Sequence, residues 1–224
     1  MDSTFDLLDR PIALGGADDV VLRAPAPEVP TLEGRPVTDP RLIAALSVPQ
    51  EITRAEALDR VAKLGGVLRV LGADGATALI VMPQVPEPAR TFAVLAGLRI
   101  GLEVVLQDEA GSIDLDAYGS ETLTVLPAPE GDAASRGGQV SDGADASPAA
   151  PAVTVTVRRV RSHFEDVAVL GGGITRGLDA MMRDARIEPV PARFRDPEAR
   201  ALTLPDGTLT RSGAAEFAAS LLEG

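Results

Sequence analysis

A chain of 224 residues, 45% of them hydrophobic, is long enough to bury a core as one large domain or one and a half smaller ones. Its formal net charge of −12 disfavours nucleic acid and anionic membranes as partners, because phosphate is repelled over most of the surface. The absence of cysteine removes disulfides, thiolate nucleophiles and cysteine-based metal sites, and a single histidine, His163, removes multi-histidine ones.

The N-terminal MDSTFDLLDRPIALGG has acidic residues where a signal peptide needs positive ones, and no later apolar run reaches membrane-spanning length. A cytoplasmic protein is expected. Residues 1–52 read as an irregular lead-in, because Pro25, Pro27 and Pro30 disfavour both helix and central strand. Asp39-Pro40 starts a short helix through Leu42, Ile43, Ala45 and Leu46, which Ser47-Val48-Pro49 ends.

Thr53-Arg54-Ala55-Glu56 has the pattern of a capping box. The helix that follows sets Ala57, Val61, Leu64, Leu68 and Leu71 on one stripe, with Gly72 as its C-terminal cap. Gly65 and Gly66 inside it cost about 1 kcal/mol each relative to alanine, which predicts close packing, here against a sheet. Lys63, the one lysine, sits beside Asp59 on this helix and is expected to face solvent. Ala78–Met82 is a continuous apolar run and predicts a strand buried on both faces. A helix from Pro88 to Gly101 and a strand at Val104–Leu106 complete a βαβ unit, and Leu123–Leu126 adds a further strand.

Residues 128–152 are poor in large apolar side chains and predict a flexible linker or loop between an α/β lobe at 1–127 and a second at 153–224 packing on it. In the second lobe, strands are expected at Val153–Val157 and Val167–Leu170, and a helix from about Thr175 to Arg186 with Leu178, Met181 and Met182 inward. Ala201–Leu204 is a last strand, Pro205–Thr208 a tight turn, and the terminal helix, capped by Ser212, buries Ala215, Phe217, Ala218, Leu221 and Leu222.

Residues 52–107, with the turn Met82-Pro83-Gln84-Val85-Pro86-Glu87 and a helix closing in Arg99-Ile100-Gly101, resemble the opening segment of the acyl-adenylating enzymes, the acetyl-CoA synthetase and AMP-binding ligase family. The resemblance implies an α/β fold with a mostly parallel sheet flanked by helices, like part of the N-terminal domain of an acyl-CoA synthetase. Residues 195–222 match more loosely, and Gly207-Thr208-Leu209-Thr210-Arg211-Ser212-Gly213-Ala214 lies across that family's phosphate loop. Gly207, Thr208 and Arg211 match it, whereas Leu209 stands for a hydroxyl residue, Thr210 for a glycine, Ser212 for the proline and Gly213 for the lysine. Phosphate loops use free amides, a helix N-terminus and a placed cation. A glycine in the lysine's place deletes that cation, and Asp206 adds a negative charge at the entrance. The family's catalytic lysine, and the acidic residues that hold ribose and Mg²⁺, have no counterparts here. Self-sufficient adenylation is therefore not expected, since each lost electrostatic group costs about two powers of ten.

Gly171-Gly172-Gly173-Ile174-Thr175-Arg176-Gly177 is a second candidate for anion binding, with amides at a strand-to-helix turn and Arg176 as cation. A tight turn explains the same glycines. His163 reads as a surface histidine, and Glu109, Asp114 and Asp116 as a solvated acidic face, so no metal is expected. Two functions remain. One is a non-catalytic, adenylation-like protein acting through association with itself or another protein, since part of a larger sheet leaves edges to cover. The other is a protein, or partial acid–CoA ligase, that holds AMP, CoA or an acyl-adenylate near Gly171, Gly172, Gly173, Thr175 and Arg176 and near Gly207, Thr208, Thr210 and Arg211.

Overall fold

The computed structural model describes residues 4–25, 31–32, 35–118, 122–128, 163–164, 166–193 and 196–222. The expected linker beyond Ala128 and the expected strand Val153–Val157 lie outside them.

The architecture is α/β, as the sequence predicts. Its centre is the βαβ unit β5 (Ala78–Val81), α4 (Ala89–Ile100) and β6 (Glu103–Leu106). The strand β7 (Thr122–Pro127) lies on the other side of β5, and β10 (Arg200–Leu204) beside β6, all four parallel. Antiparallel neighbours finish both ends, β8 (Val167–Gly171) with β9 (Ile174–Gly177) at one and β11 (Gly207–Thr210) at the other. The seven-stranded order is β11-β10-β6-β5-β7-β8-β9. Strands from before and after the undescribed stretch thus share one sheet.

Helix α4 rests on this sheet, where Gly97 would place a Cβ 2.6 Å from Val104 and 2.8 Å from Leu79. Behind it packs α3 (Arg54–Val70), whose capping box forms as expected, with the Thr53 hydroxyl accepting from the Glu56 amide and the Glu56 carboxylate from the Thr53 amide. Ala57, Val61, Leu64 and Leu68 are fully buried in the core that α3 shares with α4 and the sheet.

Several local expectations change. The lead-in is not irregular. A wide helical turn (Phe5–Asp9) runs into α1 (Arg10–Ala13), and β1 (Val20–Ala24) pairs antiparallel with β4 (Gln50–Thr53). Leu8, Val21, Leu22 and Ile52 join the core, through pairing between segments far apart in sequence that local patterning does not carry. A two-residue pair, β2 (Thr31–Leu32) with β3 (Arg35–Pro36), and the expected α2 (Pro40–Leu46), capped by Asp39, lie between them.

Gly65 and Gly66 do not face the sheet. A Cβ on Gly66 would lie 2.1 Å from the Glu188 carbonyl oxygen, and one on Gly65 2.6 Å from Val190 and 2.9 Å from Ile100. The glycines admit the extended stretch 187–191, which straps α3 from outside. Lys63 does not point to solvent either, because its ammonium donates to the carbonyls of Asp184 and Ile187 and ties that strap to the helix.

Candidate functional site

The helix expected from Thr175 is instead β9, and α5 spans only Leu178–Arg183. Gly172 (φ +57°) and Gly173 (φ +74°) form a two-residue turn between β8 and β9. Positive φ at both central residues is the type I′ pattern, which matches strand twist and which glycine adopts without strain. The glycines therefore serve a hairpin, and no helix begins at their amides. Thr175 and Arg176 lie in the exposed edge strand, with Arg176 paired in register to Val169. Gly171 is packed over Leu123, 2.4 Å from where a Cβ would stand.

The stretch Gly207–Arg211 is likewise regular structure. Gly207, Thr208 and Thr210 lie in β11, joined to β10 through the exposed turn Pro205-Asp206. Main-chain groups of β11 that face β10 are spent in the ladder. The Thr203 hydroxyl donates to Glu103 at 3.0 Å and lies 3.4 Å from the Thr208 hydroxyl. Helix α6 (Arg211–Leu222) starts directly after β11, one residue ahead of the expected cap, and its buried line is Ala214, Ala218 and Leu222 at four-residue spacing, whereas Ala215, Phe217 and Leu221 are only half-buried. Ser212 donates from its amide to the Pro197 carbonyl at 3.2 Å.

Arg211 is 2% exposed, and its Nη1 donates to the Leu98 carbonyl at 3.3 Å in the last turn of α4. The guanidinium adds a second donor to that carbonyl, which also accepts from the Gly101 amide at 3.1 Å, and complements the negative end of the helix dipole. The one basic side chain of the phosphate-loop-like stretch thus points into the fold.

The two candidate stretches also stand apart. Three strands, β6, β5 and β7, separate β10 from β8, so four spacings of about 4.8 Å put them roughly 19 Å apart across the sheet. Gly171 pairs with Leu123 near the start of β7, whereas Gly207 pairs with Leu204 at the end of β10, so the turns also lie at opposite ends of the parallel strands. No single mononucleotide reaches both.

Gly172 does border a cleft of about 200 Å³ with Leu71, Gly72, Asp74, Thr77, Thr122 and Leu123. The Asp74 carboxyl there is held below its ordinary value by the Ala76 amide at 2.8 Å and by Thr77. Asp108 is lowered in the same way by the Ser112 hydroxyl at 2.6 Å and the Ser112 amide at 2.8 Å. Both carboxylates are local turn fasteners. Among the described residues no group of three or more His, Asp or Glu side chains is disposed to hold a metal ion, and no helix is long and apolar enough to cross a membrane.

His163 is not on the open surface. Its ring is tilted over Phe92 of α4 at 5.9 Å, beside the buried Phe164, which lies at the same distance from Phe92. Burial, then the nearby Arg60 charge, holds its pKa below 6.5, with Glu56 opposing.

Two features escaped the sequence reading. Arg99, from the Arg-x-Gly motif, is buried and donates to both carboxylate oxygens of Asp9, at 2.7 and 2.9 Å, and to the Val190 carbonyl at 2.8 Å. Above it opens a shallow groove of about 560 Å³ between α1, α3 and the strap, bordered by Ile12, Leu58, Ala62 and Val190. The three- and four-residue steps Ala55, Leu58 and Ala62 beside the core stripe were the available signal.

No family model matches the chain, and no curated protein matches it. Among solved structures it is similar to the crystal structure of Brucella canis acyl-CoA synthetase, with a TM-score of 0.46 and 16% identity over 90% of this chain. The chain covers 30% of that chain's length.

Proposed function

We propose that this chain is a non-catalytic protein of adenylation-like ancestry that acts in the cytoplasm through association with other protein, whether a second copy or a different partner. The observation that carries this reading is the placement of Arg211. Catalysis on ATP needs preorganised cations at the phosphates. Here the single basic residue of the phosphate-loop-like stretch is buried against the Leu98 carbonyl, and Asp206 occupies the exposed turn. Most of the remaining amides of that stretch belong to a strand, and the glycines of the other candidate stretch form a hairpin turn.

Melting with and without saturating ATP, AMP and CoA tests this reading. An unchanged Tm with all three is expected. A ligand at 100 times its Kd stabilises a fold by about 2.7 kcal/mol, so a shift of that size with any of them contradicts it. Size-exclusion chromatography with light scattering then separates a self-associating protein from one that binds a different partner.

A further inference from the structure

We propose that residues 184–193, the strap with its leading turn, form a latch that lifts off α3 as one piece while the sheet stays folded, with Lys63 as its catch. This motion is separate from the association reading and does not depend on it. The stretch forms no helix or strand between α5 and β10, and Ile187 is its one buried side chain. A segment so lightly packed belongs to the part of a structure that opens first.

Its hold on the body is concentrated in a few groups. The Lys63 ammonium donates to the carbonyls of Asp184 and Ile187 at the leading turn. Further along, the Val190 amide donates to the Ala62 carbonyl at 3.0 Å, and the Val190 carbonyl accepts from Arg99 Nε at 2.8 Å. The Arg193 amide closes the far end on the Arg99 carbonyl at 2.9 Å. Pro189 and Pro191 each lock a backbone torsion, so the stretch between these ties is stiff. A stiff segment held at both ends gives way as a whole once one end is free.

The surface beneath suits release. Gly65 and Gly66 leave bare helix backbone under Val190 and Glu188, so neither position puts a side chain in the strap's way. Val61, Leu64 and Leu68 of α3 belong to the core shared with α4 and the sheet, which the strap does not cover. The buried Arg99 keeps both bonds to Asp9 when Val190 leaves, so no buried charge is stranded. The Lys63 ammonium exchanges two carbonyls for water, which is nearly even in free energy. Opening therefore uncovers the one lysine of the chain together with the glycine face of α3.

Native-state hydrogen exchange on the full chain, in rising but sub-denaturing urea, tests this. The Val190 and Arg193 amides should share one opening constant, roughly tenfold or more above that of the Ile80 and Val81 amides in the centre of the sheet. Their urea dependence should be weaker, because a lifted strap exposes little surface. Lys63→Met should speed both amides several-fold and by the same factor, although Lys63 bonds to neither. Acetylation with sulfo-NHS acetate and peptide mapping reads the catch itself. Lys63 should react roughly tenfold or more slowly in the native chain than in concentrated urea. Exchange of Val190 and Arg193 together with the sheet, or at unrelated rates, would overturn the latch. So would a K63M effect confined to one of them, or native labelling of Lys63 as fast as in urea. None of these readouts involves a nucleotide or a partner, so the latch and the association reading fail separately.

Discussion

Arg99 grips both carboxylate oxygens of Asp9 at 2.7 and 2.9 Å, joining the end of α4 to the N-terminal turn across 90 positions of sequence. The same guanidinium holds the strap at Val190, and the Arg99 carbonyl accepts from the Arg193 amide at 2.9 Å. One side chain therefore docks two segments, neither of which lies in the central sheet. Arg99→Ala is expected to cost about 3 kcal/mol, near the range for breaking a buried pair, and Asp9→Asn less, because Asp9 keeps some exposure. Urea denaturation of both variants and the double mutant checks this, and a coupling below about 0.5 kcal/mol would mean the pair is not a clamp.

Gly66→Ala makes a second, opposite-signed test of helix reasoning. In an isolated helix the change stabilises by about 1 kcal/mol. Here the added Cβ meets the Glu188 carbonyl oxygen at 2.1 Å, a backbone atom that moves only with the strap. A net loss of about 2 kcal/mol is expected. A raised Tm would show that the strap yields freely.

The pH dependence should fall in two windows. His163 has a folded-state pKa below 6.5, so the unfolded chain binds its proton more readily, and stability declines as pH falls from 6.5 toward the depressed value. His163→Phe should remove this slope while keeping the contact with Phe92. Asp184, lowered from 3.8 to about 2 chiefly by the Arg186 side chain, stabilises the fold above 3.8 and loses that contribution as pH falls toward 2. Denaturation between pH 2 and 8 of wild type, H163F and Asp184→Asn separates the two, and an unaltered slope in H163F would contradict the burial of the ring.

Arg211→Met keeps an aliphatic stem but removes the charged donor to Leu98. Its loss should lower stability by about 1 to 3 kcal/mol, since a buried carbonyl loses a charged partner. Guanidinium chloride melts measure it, and a neutral result would place the guanidinium outside the fold.

Much of the sheet was legible because its signals are local. The Thr53–Glu56 capping box, the Ala78–Val81 run and the Ala89–Ile100 helix each announce themselves within a dozen residues. The pairing of β1 with β4 was not, since Val20 meets Thr53 only through tertiary contact. Gly172 and Gly173 misled because a strand followed by glycines opens a helix or a hairpin equally well, and only the pairing of Gly171 with Ile174 decides. Gly65 and Gly66 signalled a close approach but not what approaches, and Lys63 gave no hint that two carbonyls lay within reach. For the phosphate-loop-like stretch, sequence showed which cation was missing, whereas the inward turn of Arg211 depends on α4 and α6 meeting.

Pyrophosphate release from ATP and Mg²⁺, with short, medium, long and aromatic carboxylic acids offered in turn, goes straight to whether this chain carries out acyl-adenylating chemistry. With Arg211 committed to the Leu98 carbonyl, release in the presence of protein and acid should equal the protein-free background for every acid. Release that rises with both protein and one acid would refute the non-catalytic reading.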